Sequence, residues 1–388
     1  MILSVLLGAL AVLSLGVTLW QIVVAARFPL HRREAAPQFA PAITLLKPLK
    51  GCDAETAECL RSWLTQHYAG PLQVLFGAAS AEDPVCDLVR RLIAEHPDAP
   101  AQLVICPEQL GPNAKVSQLI QLERLALHEV LCLSDADVWA PPDFLANAVG
   151  PLRDGMVGLV NSFYRLANSS RFAMRWEAFA VNADFWSQVL QSLSLKPMDF
   201  ALGAAILTLR RPLAAIGGFA GLVEHLADDY QLGNRIAGTG AGVVLCPVVV
   251  ECRSQPTTFA KVWSHQLRWA RTIRVCQPGP YFWSVLGNAS LWPLIWLATC
   301  PSTLTLVGVC LCLSVRMFAG QYLERRLTGR SGVASCAMAL VKDVFQVALW
   351  ALAFTGRQVA WRGVNYQIEA GGKLVKLADG APAPAASA

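Results

Sequence analysis

Residues 1–26 contain no charged side chain, and this run restricts the fold more than any other feature of the sequence. As a helix it is long enough to cross a hydrocarbon core of about 30 Å. A cleaved signal peptide is the competing reading. Against it, the run is too long, no basic stretch precedes it, and the positive charges come after it. Arg27, His31, Arg32 and Arg33 stand directly after the run, so the chain beyond them is expected to be cytoplasmic by the positive-inside rule. The carboxyl third repeats the pattern: residues 281–300, 302–318 and 333–354 are apolar, and Pro301 separates the first two. Lys342 and Asp343 interrupt the last run. Such a pair is costly at mid-membrane, so this segment is expected to lie in the interface or to turn the pair toward a protein cavity. Two or three of these segments are expected to cross.

The composition agrees with a lipid-facing surface. The chain is 54% apolar and 15% charged, against a usual charged share of about 25%. Its net charge of +5 is modest and its basic residues cluster near the membrane ends, which suits anionic headgroups rather than nucleic acid. The 12 cysteines form no C-x-x-C pair, so neither a zinc site nor a disulfide framework is indicated, as expected in a reducing compartment.

Between the membrane segments the pattern alternates. Residues 42–46, 72–77, 103–106 and 130–133 read as strands, and residues 54–66, 84–95 and 115–127 as helices. Such alternation predicts an α/β fold with a parallel, helix-covered sheet. Ligands in open sheets of this kind sit at the carboxyl ends of the strands. Lys47, Lys50, Asp53, Asp83, Asp135 and Asp137 all read as lying just past such ends. Neither G-x-G-x-x-G nor G-x-x-x-x-G-K-[ST] comes after the first strand, which disfavours a dinucleotide fold and a P-loop ATPase.

Three constellations carry chemistry. Asp135-Ala136-Asp137 places two carboxylates one residue apart at a strand end, where they suit Mg²⁺ or Mn²⁺. The same residues equally suit an Asx turn or helix cap, with Pro141 and Pro142 opening the next helix. The acidic pair Asp228-Asp229 precedes a helical segment; it suits a general base, or simply a helix start complemented by carboxylates. The segment 263–271 sets Arg268 and Arg271 beside Trp269, immediately before a membrane run. It suits a diphosphate contact, an interfacial helix, or both.

Taken in order, K-P-L-K-G at 47–51, E-D-P at 82–84, D-A-D at 135–137, A-D-D-Y at 227–230 and H-x-x-R-W at 265–269 resemble glycosyltransferase family 21. This family comprises membrane-bound ceramide glucosyltransferases and bacterial relatives, including hopanoid-biosynthesis glycosyltransferases. The resemblance runs to the closing stretch 361–366. It implies a GT-A fold, with a mostly parallel central sheet and transmembrane helices at both ends, and an inverting, metal-assisted transfer from a UDP-sugar. By position it implies Asp83 near the nucleotide, Asp135 and Asp137 on Mg²⁺ or Mn²⁺, and Asp229 as general base. Arg268 and Trp269 match the end of the (Q/R)xxRW motif, whose first position holds His265 here, a departure that puts that position's role in question. The candidate nucleotide-sugar contacts are Lys47, Asp83, Lys115 and Asp135; the candidate catalytic residues are Asp229, Arg268, Trp269 and His265.

The organisation expected from this reading is a membrane helix at 1–26, a cytoplasmic GT-A domain at 41–255 and an interfacial segment at 256–280. Membrane segments at 281–356 and a tail at 357–388, disordered from Ala381, complete it. Residues 160–205, with Arg165, Trp176 and Trp186, are expected to shape the sugar pocket, where these three contact lipid or belong to the core. The expected protein sits in a bacterial-type inner membrane and moves one sugar to a lipid hydroxyl, on ceramide or a hopanoid polyol. A processive polysaccharide synthase and a non-catalytic lipid-binding membrane protein are the rivals.

Overall fold

Ile43–Leu49 (β1) is apolar but for Thr44 and Lys47 and is buried at every position, as a strand covered on both faces must be. It is the centre of one half of a sheet that the computed structural model, which describes residues 1–33, 38–330, 332–361 and 363–377, builds from eight strands. The others are Leu72–Ala78 (β2), Ala101–Ile105 (β3), Val130–Ser134 (β4), Val138–Trp139 (β5), Val157–Leu166 (β6), Ala205–Leu209 (β7) and Gly242–Cys252 (β8). Their order across the sheet is β3-β2-β1-β4-β7-β6-β8-β5. β1 runs parallel to β2 and β4, β2 to β3, and β6 to β8, while β7 and β5 pair antiparallel. The sheet is therefore mostly parallel, and the reversal at β7 brings a second set of strand ends and loops beside the end of β4.

The intervening helices start where local chemistry says they should. Pro84–Glu95 has proline in its first turn, and the Asp83 side chain caps it by accepting from Val85 N. Ala114–Glu123 is capped the same way by Asn113, which accepts from Val116 N. One boundary differs from expectation. β1 continues through Lys47 and Pro48 to Leu49, so Lys47 lies inside the strand and not beyond it. Pairing with β4 ends at Leu46, whereas pairing with β2 continues, so Pro48 meets a neighbour on one side only. A missing N–H is tolerated at such an edge.

The chain divides into two compact units. Residues 29–168 and 196–255 form the sheet unit, and residues 1–28, 169–195 and those from 256 onward form a helical unit. Among the described residues, three helices of the latter are long and apolar enough to cross a membrane: Ile2–Arg27, Thr303–Thr328 and Val333–Ala353. The apolar stretch 281–300 is not one helix. It divides into Pro278–Trp283, a 3₁₀ turn and Leu291–Thr299, whose 9 residues reach roughly 14 Å as a helix, less than half a hydrocarbon core. Gly287 ends the 3₁₀ turn and lies beside the break before Leu291–Thr299.

Lys342 and Asp343 do turn inward, each toward a partner on a different helical element. Arg316 donates to Asp184 at 2.8 and 3.2 Å and to Asp343 at 2.9 Å, and Lys342 Nζ lies 2.5 Å from Asp184. Ser290 Oγ adds a bond of 2.6 Å to Asp343. Two acids and two bases thus neutralise one another, with all four side chains buried. Asp184 lies in the π-helical turn Ala180–Phe185, between the helices Phe172–Phe179 and Trp186–Leu193. Trp176 and Trp186 on those helices are buried core residues of the helical unit. Beyond the last long helix, Gln358–Trp361, Val364–Ile368 and Leu374–Lys376 make a small antiparallel sheet. Arg362 and the tail expected to be disordered lie outside the described residues.

Candidate active site

The site begins where β4 stops. Asp135-Ala136-Asp137 forms a turn closed by Val138 N donating to the Asp135 carbonyl, after which β5 pairs with β8. Lys47 braces this turn from behind. Its Nζ donates to the Asp135 carbonyl at 2.6 Å and to Ser134 Oγ at 3.2 Å, and it lies 5.0 Å from the Trp63 ring. Lys47 is fully buried, and burial pulls its pKa down to about 8. Lys47 thus braces the acidic turn from inside β1.

Lys115 occupies the front. Its Nζ lies 2.8 Å from Asp135 Oδ1 and 3.1 Å from Asp228 Oδ2. Burial works against its charge, but the carboxylates of Asp135 and Asp228 outweigh that and hold its pKa above the ordinary lysine range. The second acidic segment is brought here by Asn113, whose Nδ2 donates to the His225 carbonyl at 2.8 Å. Asp228 and Asp229 then open the helix Asp228–Gly238, where carboxylates complement the macrodipole. Asp229 Oδ1 accepts from Tyr230 N at 2.8 Å. Its other oxygen fills the space over Gly203, where an added Cβ would come within 2.7 Å of Oδ2. Burial, and then the neighbouring Asp228 charge, raise the Asp229 pKa to about 6. Lys115, Ser134, Gly203, Asp228 and Asp229 line one cavity, with Ile206 and Phe219 on its apolar side.

Asp137 is exposed, with protein packed around the turn that carries it. Those surroundings, and then the Asp135 charge, raise its pKa to about 6. A divalent cation would relieve the repulsion that the Asp135 charge exerts on Asp137. Among the described residues no group of three or more His, Cys, Asp or Glu is placed to hold a metal. The donor set still fits Mg²⁺ or Mn²⁺ in the mode in which one or two carboxylates share the ion with substrate phosphates and water.

Asp83 is committed locally. Besides capping its helix, both its oxygens accept from Gly51 N at 3.0 Å, fixing the loop after β1 where Gly51 takes a φ of 65°. Arg165 on β6 donates to Glu251 on β8 at 3.1 Å, so it belongs to the sheet's own ion pairs.

His265, Arg268 and Trp269 lie in the helical unit, on Phe259–Cys276. The His265 ring lies 4.8 Å from that of Trp269. Its Nδ1 is 2.6 Å from Glu177 Oε1, which also accepts from Gln266 Nε2 at 2.9 Å. Glu177 has no signal in the sequence beyond being the one acid on its apolar helix, and it lies 88 residues away from His265. Asp228 is visible there only as half of an acidic pair, with nothing to show that Lys115 meets it.

The fold is that of GT-A glycosyltransferases. A mannosyltransferase from Pyrobaculum calidifontis, solved in complex with GDP-Man and Mn²⁺, superposes with a TM-score of 0.53 at 22% identity, covering 88% of this chain and 99% of that one. The family model for glycosyl transferase family 21 matches residues 6–374, and the chain belongs to that family. Among curated relatives, ceramide glucosyltransferase 1 of Caenorhabditis elegans is 22% identical over 63% of this chain. A ceramide glucosyltransferase of Candida albicans is 32% identical over 28% of it. The matches span 52% and 22% of those relatives' own lengths.

Proposed function

We propose that this protein is a membrane-bound, inverting glycosyltransferase that moves a single sugar from a UDP-sugar to a lipid hydroxyl, on ceramide or a hopanoid polyol. The observation that carries the reading is Asp229, a carboxylate with a raised pKa, in one cavity with Lys115, beside the acidic turn at the end of β4. A base with a pKa near 6 is ionised at neutral pH and still basic enough to take a hydroxyl proton as that oxygen attacks the anomeric carbon. Attack breaks the bond between the sugar and the diphosphate in one displacement, so configuration inverts and no covalent nucleophile is needed. Lys115 supplies positive charge where the departing diphosphate gains negative charge. Asp135 and Asp137 would hold Mg²⁺ or Mn²⁺, which when bound neutralises the leaving diphosphate. Asp83 holds the loop that borders the nucleotide. Arg268, Trp269 and His265 are retained as catalytic residues on the strength of their motif.

The test is product analysis with the purified full-length protein, labelled UDP-glucose and either ceramide or a hopanoid polyol. A lipid carrying one sugar of inverted anomeric configuration is expected. A polymer would make the protein a processive synthase, and absence of UDP release with every lipid acceptor would leave a non-catalytic lipid-binding protein.

A further inference from the structure

The helical unit contains a cationic cluster to which the proposed transfer assigns no role. Arg271 and Arg274 on Phe259–Cys276 both reach the backbone of the segment 356–358, which carries Arg357 just before Gln358–Trp361. Burial, and then the neighbouring arginine, lower the pKa of Arg271 (through Arg274) and of Arg274 (through Arg357). None of the three forms an ion pair with a carboxylate among the described residues, where Arg316, Lys115 and Arg165 all do. Their partners are backbone: Arg271 Nη1 donates to the Gln358 carbonyl at 2.5 Å and Arg274 Nη2 to the Gly356 carbonyl at 3.1 Å.

Three polar atoms in this cluster are buried without a hydrogen-bond partner: Arg271 Nε, Arg274 Nε and Tyr281 Oη. Arg271 is itself only 9% exposed. Buried donors ordinarily find partners, because an orphaned one costs about 1–3 kcal/mol. Guanidinium donors and a phenol left without a carboxylate match a tetrahedral oxyanion, which accepts from many directions and carries the missing charge.

The surroundings indicate the source of that anion. The cluster sits at the end of the membrane-length helix Val333–Ala353, with Arg274 5.5 Å from the Phe354 ring. Phe282 and Trp283 nearby are 48% and 61% exposed, and Phe282 packs edge-on to Phe354. Exposed aromatic rings at the end of an apolar helix are the pattern of the headgroup level of a bilayer.

We propose that Arg271, Arg274, Arg357 and the Tyr281 hydroxyl form a phosphate-binding site that takes the headgroup phosphate of an anionic phospholipid. The chemistry recognised is the phosphate oxyanion, and free phosphate is the other source of it.

The test uses the full chain in a neutral detergent, titrated with short-chain phosphatidylglycerol, with phosphatidylcholine and with inorganic phosphate, bound ligand being counted by native mass spectrometry. Wild type is expected to retain phosphatidylglycerol about tenfold more tightly than R271Q/R274Q, the loss of two charge-assisted bonds allowing for partial replacement by solvent. Arg357→Gln, at an exposed position, guards against a folding artefact. It should weaken the same binding while leaving the thermal midpoint of the unliganded protein unchanged. Inorganic phosphate displacing the lipid at equal affinity would keep the oxyanion site and assign it to soluble phosphate. Equal retention of phosphatidylglycerol by wild type and both variants would overturn the proposal, as would equal loss of phosphatidylglycerol and phosphatidylcholine from wild type with neither retained. The readout needs no turnover, so it stands apart from the assignment of the transfer reaction.

Discussion

Asp229, the proposed base, has a burial that opposes its own ionisation and so bears on stability. Its folded pKa of about 6 lies above the ordinary carboxylate value of 3.8. The folded state therefore holds its proton more tightly than the unfolded chain, and ionising it costs stability that is fully felt above pH 6 and absent below the unfolded pKa. We predict that Asp229→Asn abolishes transfer while UDP-sugar binding survives. We also predict that it unfolds later than wild type at pH 7–8, by on the order of 1 kcal/mol after solvent screening, and together with wild type at pH 3.5. Thermal scans across that range check the second claim, and normal turnover by the variant would remove the base assignment. In the wild type the rate should fall as pH drops through about 6, because the base is then protonated. For the acidic turn, D135A/D137A is expected to lose metal-dependent UDP binding; titration calorimetry that still detects it would count against a metal role for the pair.

Among the elements, those fixed by neighbours in sequence are legible in it and those fixed by distant partners are not. Helix Pro84–Glu95 can be placed to the residue because Asp83 and Pro84 are its cap and first turn. β1 reads as a shorter strand because Lys47-Pro48 looks like a strand end. It continues because the pairing with β2, set by tertiary structure, outlasts the pairing with β4. Residues 281–300 pass as a membrane run by composition, yet the 3₁₀ turn that ends at Gly287 divides them into two short helical pieces. The carboxylates of the candidate site are legible as types at strand and helix starts; their joining through Lys115 and the seat of Asp229 over Gly203 are not. The buried ion network is half legible, since Lys342-Asp343 announces a need for partners without naming Arg316 or Asp184. Removing one charge leaves the others uncompensated, which in buried pairs typically costs about 3–5 kcal/mol. Arg316→Met should accordingly lower the unfolding temperature in detergent by several degrees, whereas Leu311→Met, at a position 57% exposed on the same helix, should leave it unchanged.

At the scale of the molecule, the two units interleave in sequence. The stretch 169–195 interrupts the sheet unit but packs in the helical one. There Trp176 meets Phe345 with ring centroids 4.9 Å apart, and Phe179 lies against Gly320. A fragment of residues 29–255 therefore contains a whole sheet unit together with helices stripped of their apolar partners. We predict that this fragment elutes from size exclusion as an aggregate without detergent and as a defined species with it. A monodisperse fragment in plain buffer would show that the 169–195 helices find another place to bury their tryptophans.

The Asp184 network also sets a schedule for synthesis. The sheet unit has all its strands once residue 252 has emerged, but Asp184 must wait for Arg316, 132 residues further along the chain. At roughly 5–20 residues per second, a carboxylate destined for the interior stays without its guanidinium for on the order of ten seconds. During that interval the nascent helices around it remain dependent on the insertion machinery or on water for what Arg316 later supplies.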